Sequence, residues 1–250
     1  MNTPAHAIEH SFRSIGGDRL RIAATRPPGA TGPPLLIFNG IGASVDLLEP
    51  LMLALTNVAT LTFDLPGVGA SQASILMRRL PGYAQLAREL LDDLGIDDVH
   101  VMGISWGGGL AQQFTRQYPW RVQRLVLAAT STGHLMVPPR PSVILRMATP
   151  LRYLSAGYFK TIAGAIYGGD FRKDTALTER HVRRMAPPSI VGYLNQLWAL
   201  AGWTSAFWLH QLTQPTLVMA GDDDPIVPLV NARLLARLIP DAQLEIFDCG

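Results

Sequence analysis

Apolar positions in this chain gather into short β-rich runs, most of them hydrophobic nearly throughout: Arg19–Thr25, Leu35–Asn39, Val58–Phe63, Val99–Gly103, Leu125–Ala129, Thr216–Ala220 and Leu244–Phe247. Continuous apolarity over four to seven residues predicts strands covered on both faces, as in a parallel sheet. Between the runs lie segments of helical spacing, Asp46–Leu55, Tyr83–Leu94, Trp106–Tyr118 and Leu229–Leu238. Regular alternation of strand and helix predicts an α/β sheet with right-handed crossovers. The alternation stops after Ala129 and resumes at Pro215. The stretch between is broken by Pro138, Pro139, Pro141, Pro150, Pro187 and Pro188 and carries Trp198, Trp203 and Trp208. It reads as a mostly helical insertion over one edge of the sheet. The expected division is residues 1–132 and 213–250 for the two parts of the core, with 133–212 as the cap.

Composition narrows the partners. The chain has 250 residues, 48% hydrophobic and 16% charged, with a formal net charge of +2. That share of charge is low for a globular protein and fits a large core or an apolar surface facing substrate. No basic run suggests nucleic acid. No stretch of eighteen apolar residues spans a membrane, and Met1–Gly17 has no apolar segment of a secretory signal. The single cysteine, Cys249, allows no internal disulfide and reads as a small buried residue. A cytoplasmic globular protein is expected, with no cofactor and no metal.

The strongest chemical signal is Gly103-Ile104-Ser105-Trp106-Gly107, set between an apolar strand and a helical segment. A serine on a sharp strand-to-helix turn needs small neighbours, and the helix start directs N–H groups at developing negative charge. Ser105 is therefore the expected nucleophile. Acyl transfer also needs two backbone donors for an oxyanion. Trp106 follows the nucleophile, and Ile41 lies in the glycine turn Asn39-Gly40-Ile41-Gly42 after an early strand. Phe63-Asp64-Leu65-Pro66-Gly67-Val68-Gly69 reads as an architectural loop, with Asp64 bonding backbone. Late in the chain Asp222, Asp223 and Asp224 end a strand, the place for an acid that orients a histidine. Spacing alone does not choose among the three.

These motifs resemble the α/β-hydrolase superfamily. Gly221, Asp224, Val227 and Pro228 match its acid motif, and the resemblance selects Asp224. More narrowly, Phe38–Gly42, Phe63–Gly69, Gly103–Phe114, Tyr167–Arg172, Gly202–Ser205, Trp208–His210 and Gln214–Pro225 resemble intracellular medium-chain-length poly(3-hydroxyalkanoate) depolymerases. The likeness covers most of the chain, cap included. It implies an α/β-hydrolase fold, a mostly parallel sheet flanked by helices with an inserted helical cap. It implies a serine hydrolase that cleaves hydroxyalkanoate polyester or its oligomers through an acyl-enzyme, with a possible polyester granule surface as partner. Asn39, Gly40 and Trp203 are then expected at the substrate. A medium-chain carboxylesterase or lipase is the alternative within the same chemistry.

The fold's order places a histidine after the acid, but His6, His10, His100, His134, His181 and His210 all precede Asp224. In the family the histidine directly follows a glycine after the last strand. The expectation is a chain cut one residue short of its base, at Gly250, with the closing helix lost too. A non-catalytic binder is the reading if no histidine follows. His134 and His210 border the insertion and are weighed as pocket residues, with packing or surface roles favoured.

Overall fold

The computed structural model describes residues 7–74 and 76–248. Its centre is an eight-stranded sheet formed by β1 (Glu9–Ile15), β2 (Asp18–Thr25), β3 (Leu35–Phe38), β4 (Thr60–Phe63), β5 (Val99–Ile104), β6 (Val122–Ala128), β7 (Thr216–Gly221) and β8 (Ala242–Phe247). The strand order is β1-β2-β4-β3-β5-β6-β7-β8. β2 pairs antiparallel with β1 and with β4, and every other pairing is parallel. The helices are α1 (Glu49–Ala54), α2 (Leu80–Asp93), α3 (Trp106–Gln117), α4 (Pro141–Met147), α5 (Leu151–Leu154), α6 (Ala156–Tyr167), α7 (Thr175–Arg184), α8 (Ile190–Leu200) and α9 (Val230–Leu238). None of them is long and apolar enough to cross a membrane.

The two-residue period of a strand explains how the sheet is covered. In β3, Leu36 and Phe38 join the core cluster that holds α2 and α3 residues such as Leu86, Leu90 and Phe114. Ile37 between them joins Val45, Leu48 and Met52 on the opposite face. β4 is buried at all four positions, which is why its run is apolar throughout. The outer strands differ. β8, expected from an apolar run, is mostly exposed, because an edge strand has a neighbour on one side only. β1 was not predicted. Six of its seven residues are exposed, and its polar sequence Glu9-His10-Ser11 carries no hydrophobic signal at all. Seven backbone pairings to β2 hold it instead.

Five helices, α4 to α8, lie between β6 and β7, where the alternation of strand and helix breaks off in the sequence. An isolated bridge between Gly133 and Thr204 closes the base of this excursion.

Candidate active site

Three parallel strands, β3, β5 and β7, end at the same edge of the sheet, and the loops after them bring the candidate residues together. Ser105 links β5 to α3 with φ 54° and ψ −118°, a left-handed conformation that costs a non-glycine residue about 1–3 kcal/mol. Its neighbours hold it there. The Ser105 N–H donates to the Ala128 carbonyl at 2.9 Å, and its own carbonyl accepts from Gly108 N–H at 2.9 Å and Thr130 Oγ1 at 2.7 Å. Both motif glycines are sites of close approach. A Cβ on Gly107 would lie 2.2 Å from the Phe38 carbonyl oxygen, and one on Gly103 would lie 2.4 Å from the Gly107 carbonyl oxygen.

Three cavities meet at Ser105. The first, about 390 Å³, is almost wholly apolar and includes Ile41, Trp106, Met136, Leu197 and Trp203. The second, about 400 Å³, is shared by Ser105 and Asp224. A third, about 230 Å³, runs between Ser105 and Asn39, Gly40, Arg152, Tyr153 and His181. Asp224, Ile41, Trp106, Asn39, Gly40 and Trp203 therefore each border a cavity that also reaches Ser105.

The loop after β3 carries Asn39 to Gly42. Asn39 shapes it, with Nδ2 donating to the Ser44 carbonyl at 2.8 Å and Oδ1 accepting from Gly40 N–H at 2.9 Å. Gly40 lets this loop pass close to Ser105: a Cβ there would sit 3.7 Å from the Ser105 Cβ. The carbonyl of Ile41 is turned into the cap, where Tyr153 Oη donates to it at 2.8 Å and Arg152 Nη2 at 3.2 Å. The N–H groups of Ile41 and Trp106 donate to no protein acceptor among the described residues. For Trp106 this follows from its place as the first residue of α3, since the first turn of a helix leaves its N–H groups free. The indoles are committed elsewhere: Trp106 Nε1 donates to the Gln196 carbonyl at 2.8 Å, and Trp203 Nε1 to Gln113 Oε1 at 2.9 Å. What these tryptophans offer the first cavity is apolar surface.

The loop after β7 separates its three carboxylates. Asp222 is exposed. Asp223 binds the cap: its Oδ2 accepts from Gly169 N–H at 2.9 Å and pairs with Arg172, and these contacts hold its carboxyl below the usual range. Asp224 borders the cavity shared with Ser105. Its Oδ1 accepts from Ile226 N–H at 2.8 Å and Val227 N–H at 2.9 Å, which fixes the carboxyl plane. Burial raises its pKa, and the two N–H groups oppose that rise. Oδ2 has no protein partner among the described residues.

Asp64 is fully buried and accepts from Val45 N–H at 2.7 Å and Ala70 N–H at 3.0 Å. It braces the loops after β3 and β4, in line with an architectural role. His134 and His210 are exposed and border none of the three cavities. The histidine that does is His181 on α7, whose ring stacks on Phe159 at 5.2 Å. Burial, with Arg152 nearby, lowers its pKa to about 4, so it is neutral at pH 7 and a weak base. Nothing in its sequence surroundings marked it. Cys249 and Gly250 lie outside the described residues.

Comparison with known proteins identifies the fold and the family. A family model described as the alpha/beta hydrolase fold matches residues 33–250. A poly(3-hydroxyalkanoate) depolymerase of Ectopseudomonas oleovorans is 48% identical over 241 residues, covering 96% of this chain and 85% of its own. A 2-hydroxy-6-oxononadienedioate/2-hydroxy-6-oxononatrienedioate hydrolase of Cupriavidus pinatubonensis is 32% identical, over 89% of this chain and 76% of its own. Among solved structures, a hydrolase from Pseudomonas aeruginosa PA01 superposes with a TM-score of 0.79 at 26% identity, covering 96% of this chain and 90% of the other. A serine at a left-handed strand-to-helix turn, an acid after a later strand and a matched family model over most of the length have one common explanation: the chain belongs to the α/β-hydrolase family.

Proposed function

We propose that this protein is a serine ester hydrolase acting on poly(3-hydroxyalkanoate) or its oligomers. The observation that carries the reading is Ser105, held at φ 54° at the mouth of an apolar cavity, in a chain 48% identical to a polyester depolymerase. Ser105 Oγ attacks the ester carbonyl carbon and gives up its proton to a general base, the histidine that the family resemblance implies. The resulting oxyanion is received by the N–H groups of Ile41 and Trp106. Collapse expels the alcohol oxygen of the leaving hydroxyacyl unit, which takes the proton, and leaves an acyl-enzyme. Water then attacks by the same route and releases the acid.

Asp224 is the orienting acid in this scheme. With Oδ1 fixed by two N–H groups, Oδ2 is available to an imidazole placed in the cavity between it and Ser105. Residues 133–212 serve as a cap whose underside, through Met136, Leu197 and Trp203, offers the first cavity an apolar wall suited to alkyl side chains. The cap's outer surface is also apolar at Leu145, Leu154, Ile190 and Leu194, which supports contact with a polyester granule.

A fluorophosphonate probe tests the chemistry. Stoichiometric labelling that disappears in Ser105→Ala is expected, and wild-type protein that resists labelling would leave a non-catalytic binder. Relative rates on medium-chain polyester granules and on soluble p-nitrophenyl octanoate test the substrate. Turnover of the soluble ester alone would assign a carboxylesterase.

A further inference from the structure

Arg152, on α5, is the largest fully buried side chain among the described residues, with 1% of its surface exposed. A guanidinium stays charged at any ordinary pH, and a buried charge is normally paired with an opposite one. Arg152 has no carboxylate within ion-pair distance among the described residues. Its Nη2 donates to the Ile41 carbonyl at 3.2 Å and to Tyr153 Oη at 3.4 Å, and Nη1 faces Met147 Sδ. Nε is buried and has no partner. Around it stand Tyr153 and Tyr193, whose rings lie 4.7 and 5.8 Å from the guanidinium carbon. Tyr167 and the neutral His181 complete the surroundings. None of these carries negative charge at pH 7.

The guanidinium borders the 230 Å³ cavity that also reaches Ser105, Asn39 and Gly40. An unbalanced positive charge beside the nucleophile, walled by aromatic rings, is suited to an anion that arrives with the substrate. We propose that Arg152 receives the free carboxylate at the acidic end of a hydroxyacyl ester, so that the last ester bond of an oligomer lies at Ser105. The acyl half then occupies the 390 Å³ apolar cavity, and the leaving hydroxy acid occupies the smaller one with its carboxylate on the guanidinium. This deepens the ester-hydrolase reading and rests on it.

The test is binding by the Ser105→Ala protein, which holds esters without turning them over. The ligands are the linear dimer of 3-hydroxyoctanoate as free acid, the same dimer as its methyl ester, and monomeric 3-hydroxyoctanoate. The dimer acid is expected to bind at least tenfold more tightly than its methyl ester. In Ser105→Ala/Arg152→Met that preference falls to within twofold, and Arg152→Lys retains part of it because the charge remains. Equal binding of dimer acid and dimer ester by the Ser105→Ala protein overturns the proposal, whether or not the Met variant folds. So does a preference that survives Arg152→Met, which would assign the arginine to bracing the Ile41 loop alone. A monomer that binds as tightly as the dimer acid assigns the site to released acid and overturns the chain-end assignment. Failure of fluorophosphonate to label wild-type protein would sink the hydrolase reading itself; labelled protein without an acid preference sinks only the carboxylate site.

Discussion

Three consecutive carboxylates with identical side chains have three different fates, because each successive Cα in the loop after β7 faces a different neighbour. Asp223 is drawn to Arg172 of the cap, Asp222 lies at the surface, and Asp224 is locked by two N–H groups at the cavity it shares with Ser105. Ser105 was legible from sequence because the glycines that make room for its turn, Gly103 and Gly107, lie within two residues on either side. The choice among the aspartates was not, since it depends on which way a loop rotates, and resemblance had to make it. Arg152 was not legible at all. A lone arginine in a proline-broken stretch gives no sign that it is buried; only the packing of α5 against the Ile41 loop reveals that. Asp224→Asn keeps the side-chain volume and the Oδ1 contacts, but removes the charge that would stabilise an imidazolium. Its kcat is expected to fall by about 10³–10⁴ with KM little changed. Steady-state kinetics on a soluble ester checks this, and a loss below tenfold would take Asp224 out of the triad.

Among the elements, α8 has the most direct hold on the chemistry. Gln196 lies on it, 1% exposed, and reaches both segments that carry the proposed oxyanion donors Ile41 and Trp106. Its Oε1 accepts from Gly42 N–H at 2.6 Å and its backbone carbonyl accepts from Trp106 Nε1 at 2.8 Å. The cap is thereby coupled to the loops after β3 and β5 by one side chain and one carbonyl. The sequence indicated a helical excursion here through its prolines and tryptophans, but its five separate helices had no individual signature. β1 escaped for the opposite reason: an edge strand held by backbone pairing needs no apolar pattern. Gln196→Leu leaves the Gly42 N–H buried without an acceptor, a loss of about 1–3 kcal/mol in stability. It is also expected to lower kcat at least tenfold by releasing the Ile41 loop, while Gln196→Glu, which keeps an acceptor oxygen, recovers most of the rate. Urea denaturation and soluble-ester kinetics on the two variants read both effects. If the two variants lose rate equally, the acceptor is not what matters.

For the molecule as a whole, the alternation of apolar runs established the parallel centre of the sheet, since a strand buried on both faces has to be apolar throughout. Long-range placement did not follow from any local pattern, and His181 is the clearest consequence for stability. It sits among Phe159, Tyr167 and Phe171 with Nε2 buried and unpartnered, and burial next to Arg152 lowers its pKa from 6.5 to about 4. The unfolded chain takes up a proton near pH 6.5 that the native state refuses until about pH 4. Between those values the unfolded state binds more protons, so native stability falls as pH falls, by about 3 kcal/mol in total from this residue. The stabilising contribution is complete above pH 6.5 and spent near pH 4. Asp64, raised to about 6 by its burial, slopes the other way, gaining stability toward acid, so the wild-type profile alone does not isolate the histidine. A difference measurement does. His181→Phe keeps a ring against Phe159 and removes the titration. Relative to wild type, its unfolding free energy is expected to improve by about 3 kcal/mol between pH 7 and pH 4, as read from urea midpoints at matched slopes. A gap between the two proteins that stays constant across that range would mean that His181 titrates alike in the folded and unfolded chains, and that its surroundings are far wetter than the packing of the three rings requires.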